Sequence, residues 1–195
     1  GLLGYYTRDG QRQDQVIITS DDGGFTWTKR QHISQHLLVD GRKADCRDPS
    51  IFPLLKDGDK VTLWGMALAG GNENRFWFLK SENLLDWSYA GGYEYIWPEC
   101  VAVYPVEADD GTTHHIISVS SRFYTVGDLV YNQQTGIVDF TLPDGRNYAD
   151  VGQSAFMKMD YAEDSYAGQG FNIDDPASEF YGKTIAVNWN FGIPD

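Results

Sequence analysis

The octapeptide Ser20-Asp21-Asp22-Gly23-Gly24-Phe25-Thr26-Trp27 constrains this chain more than any other stretch. It has the Ser-x-Asp-x-Gly-x-Thr-Trp form of an Asp box. In that turn an Asp side chain holds a hairpin and the Trp anchors the outer strands of a blade. Ser-Asp-Gly clusters make turns of many kinds, but a match at every defined position is harder to meet by chance. A degenerate counterpart follows about sixty residues later, Ser81-Glu82-Asn83-Leu84-Leu85-Asp86-Trp87. Both copies come after a strand-like run and end in Trp.

Short strand-like runs recur along the rest of the chain. The first residues, Gly1 to Thr7, read as one, and further runs are predicted over 14–20, 25–30, 48–55, 60–68, 74–80, 99–106, 114–120, 123–131, 154–161 and 183–190. Asp57-Gly58, Gly70-Gly71, Asp110-Gly111 and Asp144-Gly145 punctuate them, as hairpin turns require. No amphipathic helix of ten or more residues is apparent, so an all-β domain is expected. Repetition of Asp-box turns favours a β-propeller, whose blades repeat every ~40–50 residues, over a sandwich. Both ends read as strand, which predicts a piece of a longer domain.

Composition narrows the function. A formal net charge of −13 repels phosphate backbones and anionic lipid,. Nucleic-acid and membrane partners are therefore not expected, and a neutral substrate fits better. No apolar run approaches the ~18 residues of a membrane span. Cys46 and Cys100 are too few for a disulfide scaffold,. His32 and His36 have no acidic third ligand nearby, and the adjacent His114 and His115 point to opposite faces of a strand,. No metal site is expected.

Two acidic residues stand out by position. Arg47-Asp48-Pro49 opens the apolar run Ser50-Ile51-Phe52-Pro53-Leu54, and Pro49 lacks the N–H of a strand interior,. Further on, Trp97-Pro98-Glu99-Cys100 opens Val101-Ala102-Val103-Tyr104. If both runs are innermost strands of their blades, Asp48 and Glu99 face one central funnel. A pair of carboxylates in an aromatic-lined funnel is what glycoside hydrolysis needs, one ionised and one held protonated. Arg47 would favour an ionised neighbour, and Trp97 with the apolar strand would favour a protonated Glu99.

Taken in order, these motifs resemble glycoside hydrolase family 32, the invertases, inulinases, levanases and related fructosyltransferases. The resemblance covers nearly the whole chain. Besides Arg47-Asp48-Pro49 and Glu99-Cys100, it rests on Ile17-Ile18-Thr19-Ser20 with the Asp box and on Tyr124-Thr125-Val126-Gly127-Asp128. It also includes Asp160-Tyr161 with Asp164-Ser165-Tyr166-Ala167-Gly168-Gln169, and Thr184 to Trp189. It implies a five-bladed propeller, of which residues 1–195 would be blades 2 to 5 of the catalytic domain. A C-terminal β-sandwich, usual in the family, would be absent.

The resemblance also implies roles. Asp48 would stabilise the transition state and Glu99 would be general acid and then base. Arg47 would bind the sugar and hold Asp48. Cys100 would tune Glu99 or serve only as a small buried residue, and Tyr166 and Trp189 would line a fructose pocket or serve as core aromatics. No cofactor is implied, and secretion is the usual expectation for polymer-degrading members, with cytoplasmic sucrose hydrolases the alternative. The sequence departs from the family in three places. The Trp-x-Asn-Asp-Pro-Asn-Gly segment carrying the nucleophile has no counterpart here. Pro98 separates Trp97 from Glu99, and Val101-Ala102 stands where Pro-Asp is usual. The expected activity is retaining hydrolysis of sucrose, inulin or levan. Its rivals are fructosyl transfer, a sialidase- or arabinanase-type propeller, and a non-catalytic carbohydrate-binding propeller.

Overall fold

The computed structural model describes residues 1–8, 13–32, 38–39, 42–43, 46–70, 74–95, 99–120, 122–159 and 165–190. Asp45, Trp97, Pro98, His36 and the 160–164 segment lie outside the described residues, as do the second glycine of the Gly70-Gly71 turn and the His32 side chain.

The chain is built from successive antiparallel meanders. β1 (Leu2–Arg8), β2 (Asp14–Ser20) and β3 (Thr28–His32) form the first sheet in the order β1-β2-β3. A two-residue ladder, β4 (Leu38–Val39) with β5 (Arg42–Lys43), follows. The second sheet runs β6 (Arg47–Asp57), β7 (Lys60–Ala69), β8 (Arg75–Ser81), β9 (Ser88–Glu94). The third runs β10 (Ala102–Glu107), β11 (Thr113–Val119), β12 (Phe123–Asn132), β13 (Ile137–Thr141), and β14 (Met157–Lys158) also pairs with β12. β15 (Ser165–Asn172) and β16 (Thr184–Asn190) pair last. The leading strands pack side by side, β6 between β1 and β10, and β10 against β15. This is the blade arrangement expected from the repeated turns.

The second sheet explains why its strands read as unbroken apolar runs. Side chains alternate between faces along a strand, and here both faces are buried. Ala67, Ala69, Phe76 and Phe78 point to a core shared with the third sheet, among Val103, Ile117, Phe140 and Tyr148. Met66, Leu68, Trp77 and Leu79 point to a second core with Ile17, Cys46 and Trp87. Gly65 lies opposite Phe52 in the β6–β7 register, and a Cβ there would sit 2.2 Å from the Phe52 ring. That ring fills the space a side chain would need.

Both Asp-box turns are formed, and each joins the last two strands of its sheet. In the first, Asp22 accepts hydrogen bonds from the Thr26 N–H (2.9 Å) and hydroxyl (2.6 Å). In the second, Asn83 takes the place of the aspartate and accepts from the N–H groups of Leu85 and Asp86. Trp27 and Trp87 each donate to the carbonyl three residues back. Trp87 is 8% exposed and anchors its blade, whereas Trp27 is 44% exposed. A third turn of this design, with Asn132 accepting from Gln134 and Thr135, joins β12 to β13 without any Trp.

Several sequence-based boundaries differ. The 25–30 run starts later, because the Asp box itself occupies residues 20–27. The 99–106 run starts at Ala102, because Glu99 and Cys100 form a strained turn. Of the 154–161 run, among the described residues 154–159 only Met157–Lys158 is strand. Before it come a four-residue helix, α1 (Tyr148–Val151), capped by Asn147, and a 3-10 turn over Gly152–Ala155. Strands β9, β13 and β15 and the short β4–β5 ladder were not foreseen.

Neighbouring leading strands are joined by side chains and not by a ladder. Buried Ser50 on β6 accepts from the Val103 N–H of β10 at 3.0 Å. Replacing Ser50 by Ala leaves that buried N–H without its acceptor, an expected loss of about 1–3 kcal/mol. Urea unfolding should show a lower midpoint with unchanged slope. A midpoint equal to that of the parent would contradict this account.

Candidate active site

Arg47 and Asp48 begin β6, and Glu99 and Cys100 lie one residue before β10. Because β6 and β10 are neighbours, the two segments meet. The Arg47 Nη2 is 2.6 Å from Glu99 Oε1, and its Nε is 3.7 Å from Asp48 Oδ2. The same Asp48 oxygen accepts the Cys100 N–H at 2.9 Å. One guanidinium therefore stands between two carboxylates from adjacent blades. The resemblance led us to expect Arg47 to hold Asp48. Its closer partner is Glu99, while the Cys100 amide takes the larger part in holding Asp48. Arg47 also donates to Gln13 Oε1 at 3.3 Å.

The trio is partly open to solvent. Side-chain exposure is 24% for Arg47, 29% for Asp48 and 41% for Glu99. A ligand can reach both carboxylates without first opening the core. With Glu99 protonated the three groups sum to zero charge, and with Glu99 ionised they carry one net negative charge.

Tyr166, on β15, donates its hydroxyl to Glu99 Oε2. Both Glu99 oxygens are thus engaged, one by Arg47 and one by Tyr166. Trp189 is the cross-strand partner of Tyr166 and is 61% exposed. It belongs to the neighbouring strand, β16.

Backbone strain gathers here. Among the described residues six non-glycines have positive φ. Asp48 (59°), Cys100 (47°), Ser120 (54°) and Ala167 (54°) are four of them. Ser120 donates its N–H to the Glu99 carbonyl at 2.7 Å, and Ala167 follows Tyr166. A left-handed residue with a Cβ costs about 1–2 kcal/mol, and such residues collect where function holds them.

Cys100 is half-buried beside the trio. Burial first, then the charges of Asp48 and Glu99, push its thiol up to about 12, against a smaller opposing effect of Arg47. It is a neutral thiol at ordinary pH and not a nucleophile. Among the described residues no set of three His, Cys, Asp and Glu side chains could hold a metal ion. None of the helices among them is long and apolar enough to cross a membrane.

Sequence reasoning missed the polar residues behind the trio. Thr7 Oγ1 accepts the Asp48 N–H, buried Gln15 stands behind Thr7, and Ser50 and Ser120 brace the two turns. The one available signal was a glutamine opening the otherwise apolar run Val16-Ile17-Ile18.

This chain resembles known proteins over most of its length. The family profile "Glycosyl hydrolases family 32 N-terminal domain" matches residues 2–190. A fructan beta-fructosidase of Streptococcus mutans is 32% identical over 193 residues, 97% of this chain and 12% of that protein. A levanbiose-producing levanase of Geobacillus stearothermophilus is 26% identical over 188 residues, 93% of this chain and 44% of that protein. The chain thus spans less than half the length of these relatives. Among solved structures, a fructofuranosidase from Schwanniomyces occidentalis complexed with fructosylnystose superposes with a TM-score of 0.65. It is 19% identical, over 96% of this chain and 39% of that one. The fold is a β-propeller.

The neutral thiol makes a prediction. Alkylation of Cys100 by iodoacetamide near pH 8 should run roughly a thousandfold slower than that of a free thiol. Its rate should still be climbing at pH 11, as a thiol pushed up to about 12 requires. Mass-spectrometric rates with a plateau above pH 9 would contradict the assignment. Cys46, fully buried, should stay unlabelled in the folded protein.

Proposed function

This chain belongs to glycoside hydrolase family 32, and from that premise we propose that it forms part of the catalytic propeller of a retaining β-fructofuranosidase. The substrate is a neutral β-fructofuranoside, in the sucrose and fructan class. The observation that carries the reading is the junction of Asp48, Arg47 and Glu99, drawn from two adjacent blades onto one solvent-reachable spot.

Asp48 is kept in place by the Cys100 amide and has a second carboxylate oxygen for sugar hydroxyls. Its negative charge stabilises the positive charge that grows on the ring in an oxocarbenium-like transition state. Glu99 protonates the departing glycosidic oxygen, then takes a proton from the water that releases fructose. Arg47 binds sugar hydroxyls and balances charge between the two carboxylates. Tyr166 holds the second Glu99 oxygen until the glycosidic oxygen competes for it. Trp189 offers an exposed ring face for a sugar ring to stack on. Cys100, uncharged, leaves the electrostatics to the carboxylates.

Double displacement needs a third carboxylate as nucleophile, roughly 5–5.5 Å from the acid. The family resemblance gives Asp48 the stabiliser's part, so the nucleophile is a different group. The reading gives the role to an aspartate outside these residues, in a longer protein whose first blade completes the funnel. The names of the relatives, a fructan beta-fructosidase and a levanase, support the fructan class.

The test uses the complete protein with sucrose, inulin and levan, and free fructose as the measured product. Glu99→Gln should lower kcat by roughly 100- to 10,000-fold. Asp48→Asn should lower it by roughly 100- to 1,000-fold. Asn tolerates a left-handed backbone, so Asp48→Asn keeps the fold. Near-parental fructose release by either variant, with an intact circular dichroism spectrum, would refute the assignment.

A further inference from the structure

Asp48 sits in the left-handed region, and a short chain of polar atoms leads away from it into the first sheet. Its N–H donates to Thr7 Oγ1 at 3.1 Å. The Thr7 hydroxyl donates to Gln15 Oε1 at 2.9 Å. The Gln15 Nε2 donates to the Cys46 carbonyl at 2.6 Å. Thr7 and Gln15 face each other directly across the β1–β2 ladder. Gln15 is 0% exposed, an unusual place for an amide side chain,.

The direction of every bond in this chain is forced. A carbonyl only accepts, so the amide nitrogen of Gln15 must face Cys46 and its oxygen must face Thr7. That oxygen only accepts, so the Thr7 hydroxyl must donate to it. The hydroxyl then turns a lone pair outward, toward an N–H that only donates, that of Asp48. Gln15 therefore grips the Cys46–Asp48 segment at both ends, directly at the Cys46 carbonyl and through Thr7 at the Asp48 amide. It spans the peptide units that carry both Arg47 and Asp48.

We propose that Gln15 and Thr7 are positioning residues, a buried relay that holds Asp48 in its left-handed conformation and so aims its carboxylate and the Arg47 side chain. Neither touches substrate. The proposal rests on the reading of Asp48 given under Proposed function. It adds that the geometry of the site is set from the first sheet, a blade that supplies neither Asp48 nor Glu99. Misplacement of a reacting group by about 1 Å can cost ~100-fold in rate, so loss of the relay should appear in turnover before it appears in folding.

The experiment compares Thr7→Val, Thr7→Ser and Gln15→Met in the complete protein. Val keeps the shape and strand preference of Thr but turns a methyl toward the Asp48 N–H. Thr7→Val and Gln15→Met should each lower kcat by roughly 10- to 100-fold, and the double variant should be no worse than the poorer single one. KM should move by less than about threefold, because the lost interaction is one of aim. Thr7→Ser keeps the hydroxyl and should recover most of the rate.

A fall in melting temperature with parental kcat per folded molecule would mark the pair as merely structural and overturn the proposal. A second readout needs no turnover. Exchange of the Asp48 amide proton should quicken at least about tenfold in Thr7→Val, and unchanged exchange would overturn the relay. If the parent releases no fructose, or Asp48→Asn stays active, the functional reading fails, and the exchange measurement still decides whether the relay holds Asp48.

Discussion

Hydrogen bonds between strands that share no ladder hold the two halves of this site against each other. β6 and β10 lead neighbouring sheets and run side by side, so their own backbone bonds point into their own blades. What locks one against the other is Ser50 with Val103, and Asp48 with the Cys100 amide. The first bond lies beneath the site in a buried position, the second within it. With two points fixed, the strands can neither slide nor rotate independently. Arg47 can then meet Glu99 at 2.6 Å across a blade boundary. The junction of Arg47, Asp48 and Glu99 is in this sense an extension of how the blades are fastened.

The strained turns follow from the same arrangement. Ordinary extended backbone at Asp48 and Cys100 would carry on the strand direction and aim their amides into the ladders. A positive φ at each turns its N–H out of line, Asp48 toward Thr7 and Cys100 toward Asp48. Each hydrogen bond offsets part of the cost of the conformation that permits it. Ser120, also left-handed, braces the Glu99 carbonyl from β11's end of the neighbouring hairpin. Strain and its compensation therefore lie in one small volume, as expected when a precise geometry must be held before a ligand arrives.

Much of this was legible in the sequence because it is local. An Asp box declares its own turn, and apolar runs after Asp48 and Glu99 declare strands whose first residues lie at a rim. The third turn of the set was silent because Asn132 performs the same capping with no Trp to mark it. Strand β9 was hidden by two glycines and weak alternation in Ser88–Glu94. Asp48 and Glu99 were conspicuous as charge at the start of an apolar strand, whereas Cys100, Tyr166 and Trp189 were reached only through the family resemblance. Their supports were not, since Thr7, Gln15, Ser50 and Ser120 are ordinary polar residues whose meaning lies in long-range partners. The preference of Arg47 for Glu99 over Asp48 was likewise invisible, because adjacency in the chain does not measure side-chain distance.

The second sheet serves two cores at once, one on each face. In such a sheet a single-residue insertion in β7 or β8 would rotate every later side chain to the wrong side, exchanging the alanine-and-phenylalanine face for the one bearing Trp77 and the leucines,. Length changes survive most readily where strands end or where a register shift absorbs them, as it does between Trp77 and Leu79,. One set of those ends surrounds the junction of Arg47, Asp48 and Glu99 and the other lies at the far end of the strands, so drift in chain length gathers at the two rims and spares the walls.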